Sequence, residues 1–257
     1  RMTLRYSARR RLTAIFIYMI DKIILICATG RSGSTTIQRI INTIPNSNMC
    51  GENLGAINDL LKFYLNIKTA TLHYIPNNKN DSDYNSLIES GIKPSWYNSY
   101  NYDEIKNEVK LLIAKMFKKS QETTLWGFKE NRWGEWQDPY YNGKVPLVAA
   151  FKELFPQTKV IINISEDVDK QSDSGRWSAK HGGKERAKNY LSKLNSQLLK
   201  FYGDNKNYCY LFTFEKILNL NSIKNMFNFI GCQDSYDEEK IKKVLCDRLK
   251  FFKPHYN

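Results

Sequence analysis

The sequence predicts an α/β fold of three layers, with a central, mainly parallel sheet flanked by helices. Three observations carry that prediction. Short unbroken apolar runs, IILICA at 23–28 and VIINI at 160–164, have the composition of strands covered on both faces. Between and after them lie stretches with apolar residues at helical spacing, and strands alternating with helices build parallel sheets. Finally, 257 residues that are 42% hydrophobic and 13% aromatic suffice for one large core, which excludes a disordered or fibrous chain. One domain is expected over 1–257.

The elements follow in order. Basic residues precede an apolar run at 12–20, but Asp21 and Lys22 end it well short of the about 20 apolar residues a membrane span requires. Residues 1–21 therefore read as a short basic amphipathic helix with no transmembrane span. The strand at 22–27 meets a glycine turn, and STTIQRIINTI then places Ile37, Ile40, Ile41 and Ile44 on one helical face. A second helix is expected over 52–64 and a third over 103–118, the latter opened by acidic residues and closed by lysines. Residues 66–102, rich in Asn, Ser and Tyr, lack periodicity and read as an irregular insertion on the acceptor side of a site. TTLWGFKEN reads as a strand entering a loop, VPLVAAFKELF as a helix ending at Pro156, and TKVIINI as a strand with a helix after it. GKERAKNYLSKLNSQLLKFY is an amphipathic helix, NYCYLFTF a strand, and NSIKNMFNFI and DEEKIKKVLCDRL two closing helices. There is no internal repeat.

A formal charge of +13 favours anionic partners without choosing among them. The five cysteines are scattered and form no CxxC, so neither a disulfide framework nor a zinc site is expected, and a reducing compartment, the cytoplasm by default, fits. His73, His181 and His255 lie far apart without ligand spacing, so no metal is expected. The sequons at Asn80 and Asn163 carry little weight, the second lying in an apolar strand.

The decisive segment is ATGRSGSTTIQRIINTIPNSNMCGEN, residues 28–53. A strand-to-helix turn aims backbone N–H groups and the helix dipole at one point, where an anion settles. Gly30 and Gly33 permit the tight path, and Ser32, Ser34, Thr35 and Thr36 supply hydroxyls. The fold is thus P-loop-like, yet against GxxxxGK[ST] this loop has Ser34 in place of the lysine and Ala28 in place of the first glycine. ATP hydrolysis is disfavoured. Arg31 instead offers a permanently charged fork for phosphate or sulfate.

GRSGSTT after an apolar strand resembles the 5′-phosphosulfate loop of the sulfotransferases that use 3′-phosphoadenosine 5′-phosphosulfate (PAPS). PNSNMCGEN is similar to the Pro-x-x-x-x-Cys-Gly-Glu stretch of tyrosylprotein sulfotransferases and some bacterial carbohydrate sulfotransferases. The resemblance implies that Glu52 is the catalytic base, that Lys129 in LWGFKENRW contacts the transferring group, and that Gly30, Arg31, Ser32, Gly33, Ser34, Thr35 and Thr36 hold the donor. Such a base is chemically apt, because an acceptor hydroxyl must lose its proton as it attacks sulfur. Two plainer readings stand beside these: Glu52 as a charge at the start of the next helix, and Lys129 as a surface lysine beside Trp126, Phe128, Trp133 and Trp136.

The resemblance extends over about residues 22–232, through LFTFEKILNLNSIKNMFNFIG, and breaks at one place. Relatives follow the KVIINI strand with an arginine that grips the cofactor's 3′-phosphate; here the position holds Ser165, followed by Glu166 and Asp167. Ser172 or Ser174 stands for the family serine that shares the task, and Lys170 or Arg176 is the cation available nearby. Losing one arginine–phosphate contact removes roughly 1.5 to 3 kcal/mol, about ten- to a hundredfold in affinity. The family's C-terminal glycine- and basic-rich loop has no counterpart in RLKFFKPHYN.

The expectation is a sulfotransferase moving a sulfuryl group from PAPS to a hydroxyl of a glycan or a tyrosine-containing peptide. Alternatives are a catalytically impaired nucleotide-binding protein of the same fold and, third, a basic nucleic-acid-binding protein, although no nucleic-acid recognition motif is present.

Overall fold

The computed structural model describes residues 21–73, 101–131, 146–173 and 177–251. Outside them lie the expected N-terminal helix, residues 74–100 of the irregular insertion, Trp133, Trp136, Ser174, Arg176, Asn80 and His255.

Five strands form the sheet: β1 (Lys22–Ala28), β2 (Ser47–Cys50), β3 (Leu125–Glu130), β4 (Lys159–Ile164) and β5 (Cys209–Thr213). Their order is β2-β3-β1-β4-β5 and every neighbouring pair is parallel. The helices are α1 (Ser34–Ile41), α2 (Ala56–His73), α3 (Tyr102–Phe117), α4 (Pro146–Leu154), α5 (Val168–Asp173), α6 (Trp177–Lys180), α7 (Lys184–Asp204), α8 (Leu220–Phe229) and α9 (Glu238–Phe251). Successive strand side chains point to opposite faces. On β1, Ile23, Leu25 and Cys27 join a core built with α2, α3, α4 and Leu198 of α7, while Ile24, Ile26 and Ala28 join one built with α1, α8 and α9. Both faces of the sheet are therefore buried, which is why its central strands read as continuous apolar runs.

The expected three-layer α/β architecture is what the chain adopts, with two differences. β2 was not legible: SNMC is short and mostly polar, and it is held by α1, where Asn42 and Gln38 each donate a side-chain amide to the Met49 carbonyl (2.9 and 3.0 Å) and Asn42 Oδ1 accepts from Met49 N–H (2.7 Å). The second helix, expected over 52–64, begins at Ala56 and continues to His73, so 66–73 is helical rather than irregular. Neither Gly nor Pro interrupts it before Pro76, and Lys68 of this added turn pairs with Glu153 of α4 at 2.6 Å. Its start is displaced by left-handed backbone at Leu54 (φ 56°) and Gly55 (φ 90°).

β3 and β1 approach so closely at Gly127 that a Cβ there would lie 1.8 Å from the Ile24 carbonyl oxygen. With β1 central, the chain passes first to β2 and β3 on one side and then across to β4 and β5 on the other. The carboxyl ends of β1, β3 and β4 flank the reversal of strand order, where ligands settle in open α/β sheets.

Candidate active site

A cavity of about 790 Å³ lies at those carboxyl ends. Its walls come from the β1–α1 loop, the segment after β2, the end of β3, the β4–α5 junction and the turn after β5.

The β1–α1 loop is fixed from three sides. Thr29 N–H donates to the Asn163 carbonyl on β4 (3.1 Å) and Ser32 N–H closes on the Thr29 carbonyl (3.3 Å). The Ser32 hydroxyl lies within 2.6 Å of both the Thr29 carbonyl and Asn163 Oδ1. From α5, Gln171 donates its amide to Thr29 Oγ1 (3.0 Å) and to the Gly30 carbonyl (2.6 Å). Arg31 (φ 67°) and Gly33 (φ 77°) are both left-handed, and this reversal swings the chain directly into α1. Gly33 is the N-cap of α1, with no side chain capping it and no acidic residue in the first turn. Ser34 and Thr35, the first two helical residues, have no carbonyl a turn below to accept their N–H groups. That leaves an uncapped helix start facing the cavity beside Arg31, with Arg39 one turn further along the same wall.

Glu52 and Lys129 meet opposite this loop. β2 pairs with β3 in parallel register, Cys50 beside Phe128, so the residues just beyond β2 run alongside Lys129. Lys129 Nζ donates to Glu52 Oε1, and Asn131 Nδ2 donates to the same oxygen at 3.2 Å. Lys129 is 7% exposed, within β3 rather than beyond it, so the surface-lysine reading does not hold. Glu52 precedes α2 by a turn of loop, and Asn53 takes the place at the helix start: its Oδ1 accepts from Ile57 N–H at 3.1 Å. The side-chain oxygen at that helix start thus comes from Asn53, while the Glu52 carboxylate is bonded to Lys129 and Asn131.

The β4–α5 wall has a different character. Ser165 Oγ donates to Glu215 Oε1 (2.8 Å), and the same oxygen accepts from the N–H groups of Glu166 (3.1 Å) and Asp167 (3.3 Å). Burial alone would raise the Glu215 carboxyl, but these hydrogen bonds and that from its own N–H outweigh it and hold the group below the usual carboxylate range. Asp167 and Glu215 both line the cavity, with Lys170 nearby.

Of the site residues expected from the sequence, Gly30, Arg31, Gly33, Ser34, Thr35, Thr36, Glu52 and Lys129 share this one cavity. Ser32 and Ser172 do not line it. Both are fully buried, Ser32 bonded within the loop as above and Ser172 donating its hydroxyl to the Asp169 carbonyl a turn back (2.7 Å). Their hydroxyls turn into the fold, leaving Ser32 to shape the loop. Gln171, Asn131, Arg39 and Glu215 were missed. Arg39 was readable as one helical turn beyond Thr35, and Glu215 as the acidic residue after β5; Gln171 and Asn131 carry no sequence signal of their own. Asn163, nominally a sequon, is buried and donates to the Phe212 carbonyl at 2.8 Å. Among the described residues no group of three or more His, Cys, Asp or Glu side chains could hold a metal ion, and no helix is long and apolar enough to cross a membrane.

No protein-family model matches the sequence, and no curated protein matches it significantly. Solved structures do. The sulfotransferase domain of the olefin synthase of Synechococcus PCC 7002 superimposes with a TM-score of 0.50 at 13% identity, covering 85% of this chain and 75% of that one. A sulfotransferase domain from the curacin biosynthetic pathway has a TM-score of 0.49 at 14% identity, covering 86% and 76%. Sulfotransferase STF1 from Mycobacterium tuberculosis H37Rv has 0.46 at 10%, covering 95% and 75%. The chain has the sulfotransferase fold.

Proposed function

We propose that the protein is a sulfotransferase that uses an adenine nucleotide 5′-phosphosulfate and a hydroxyl acceptor, a sugar of a glycan or a tyrosine of a peptide. The observation that carries this is the convergence of an uncapped helix start, Arg31, and the Lys129–Glu52 pair on one cavity, from segments far apart in sequence.

The residues present fit the phosphosulfate end of such a donor. The N–H groups of Ser34 and Thr35, the hydroxyls of Ser34, Thr35 and Thr36, and the Arg31 guanidinium offer donors and positive charge, as an anion requires. The bound nucleotide would supply an activated sulfuryl group. Glu52 takes the proton of the acceptor hydroxyl, a role that contributes about 10²- to 10⁴-fold when the carboxylate is held in reach. Its orientation comes from Lys129 and Asn131, both bonded to Oε1. Lys129 has further N–H donors beyond the one given to Glu52, and its ammonium offsets negative charge building on a neighbouring oxygen. Little reorganisation is needed, because the strand already holds the lysine in place. Among the described residues the β4–α5 wall is a poor fit for a 3′-phosphate: the Glu215 and Asp167 carboxylates outnumber its one cation, Lys170.

The test incubates the protein with ³⁵S-labelled adenosine 5′-phosphosulfate or PAPS and a panel of glycans and tyrosine peptides. Label transferred to an acceptor by wild type, and not by Glu52→Gln, supports the reading. Nucleotide binding without transfer to any acceptor would favour a non-catalytic nucleotide-binding protein.

A further inference from the structure

The β4–α5 wall is rich in hydrogen-bond acceptors, and this limits what can sit against it. Glu215 presents a carboxylate that already draws on Ser165 Oγ and on the N–H groups of Glu166 and Asp167, the donors nearest the start of α5. Those donors are consequently spent on a protein anion. Asp167 adds a second carboxylate to the wall, against Lys170, its one cation among the described residues there.

A phosphate monoester is the wrong partner for such a wall. It offers acceptor oxygens and carries a charge of about −1.5 to −2 at pH 7, so it would meet like charge. A hydroxyl is the right partner, since it donates, and carboxylates at the ends of parallel strands read ribose hydroxyls where a cation reads a ribose phosphate.

We propose that the nucleotide taken by this cavity has a free ribose 3′-hydroxyl, so that Glu215 and Asp167 select adenosine 5′-phosphosulfate over its 3′-phosphorylated form. The proposal rests on the donor reading above. With the 5′ end on the α1 start, the ribose hydroxyls fall to the β4–α5 wall, as the strand order places β4 beside β1.

The experiment is isothermal titration of the full chain with adenosine 5′-phosphate and with adenosine 3′,5′-bisphosphate, in wild type, Glu215→Gln and Ser165→Arg. Wild type is expected to bind the monophosphate at least tenfold more tightly. Glu215→Gln keeps the acceptor oxygen for Ser165 and the two N–H groups while removing the charge, and should narrow the ratio; Ser165→Arg should reverse it. A bisphosphate bound equally or more tightly by wild type overturns this proposal and leaves the donor reading standing. Binding of neither nucleotide at millimolar concentration overturns the donor reading, and this proposal with it.

Discussion

Gly33→Ala places a methyl group at the hinge of the anion loop, where two separate penalties act. The residue sits at φ 77°, and left-handed backbone disfavours a non-glycine residue by about 1 to 2 kcal/mol. The new Cβ would also lie 2.8 Å from Ile217 Cδ1 and 2.9 Å from Phe214 Cδ2, closer than carbon atoms pack. Both are side-chain ends that can shift, at a typical overpacking penalty of about 1 to 3 kcal/mol. Together the loss of stability is roughly 2 to 5 kcal/mol. An unfolding entropy of about 2.1 cal/mol/K per residue turns that into a fall in melting temperature of ~4 to 9 °C. Urea unfolding followed by tryptophan fluorescence measures it, with an unchanged slope showing that the unfolded state is not the cause. Because the loop must open its hinge to admit the methyl, affinity for a nucleoside 5′-phosphate should fall in parallel. A stability loss below about 0.5 kcal/mol, within the range of an ordinary surface substitution, would refute the left-handed hinge.

Other outcomes follow from the same contacts. Lys118→Met should destabilise by about 3 to 5 kcal/mol, because Asp21, 6% exposed, would keep only the Trp126 indole N–H as a donor among the described residues; adding Asp21→Asn should recover much of it in the same urea assay. Ser172→Ala should change nucleotide affinity less than threefold by titration calorimetry, as its hydroxyl is spent on the Asp169 carbonyl. Glu215 has a depressed folded pKa, so its stabilising effect is complete above the unfolded value of 4.5 and is lost as pH falls through the lower folded value. The stability gap between wild type and Glu215→Gln should therefore shrink as urea curves are taken from pH 7 to below pH 4, and a gap that grows on acidification would contradict the assigned contacts. Glu52→Gln should lower transfer about 10²- to 10⁴-fold in a single-turnover assay while nucleotide affinity stays within threefold.

How far the sequence foretold this depended on whether a residue's role is local. The apolar runs at 23–28 and 160–164 and the glycine turn announce β1, β4 and the loop, because burial on both sheet faces and left-handed backbone leave direct marks on residue type. β2 left no such mark. Its SNMC is held by side-chain amides of α1, a tertiary effect that overrides a weak strand preference. The Glu52–Lys129 contact depends on that hidden strand, so family resemblance named both residues while periodicity could not bring them together. Ser165 was legible as a departure and Glu215 as an acidic residue after β5, but not their contact, which arises through the pairing of β4 with β5. The hydroxyls of Ser32 and Ser172 show the converse: a donor of the right type in the right motif can still be turned inward by the loop or helix that carries it.

The central claim is that the start of α1 beside Arg31 holds the 5′ end of a nucleotide. Titrating ¹⁵N-labelled protein with adenosine 5′-phosphate, and following the amide resonances of Ser34 and Thr35, tests it most directly. Saturable downfield shifts of these two amides, abolished in Arg31→Ala, are predicted. Amides that stay unmoved at millimolar nucleotide, or shifts confined to other faces of the molecule, would contradict it.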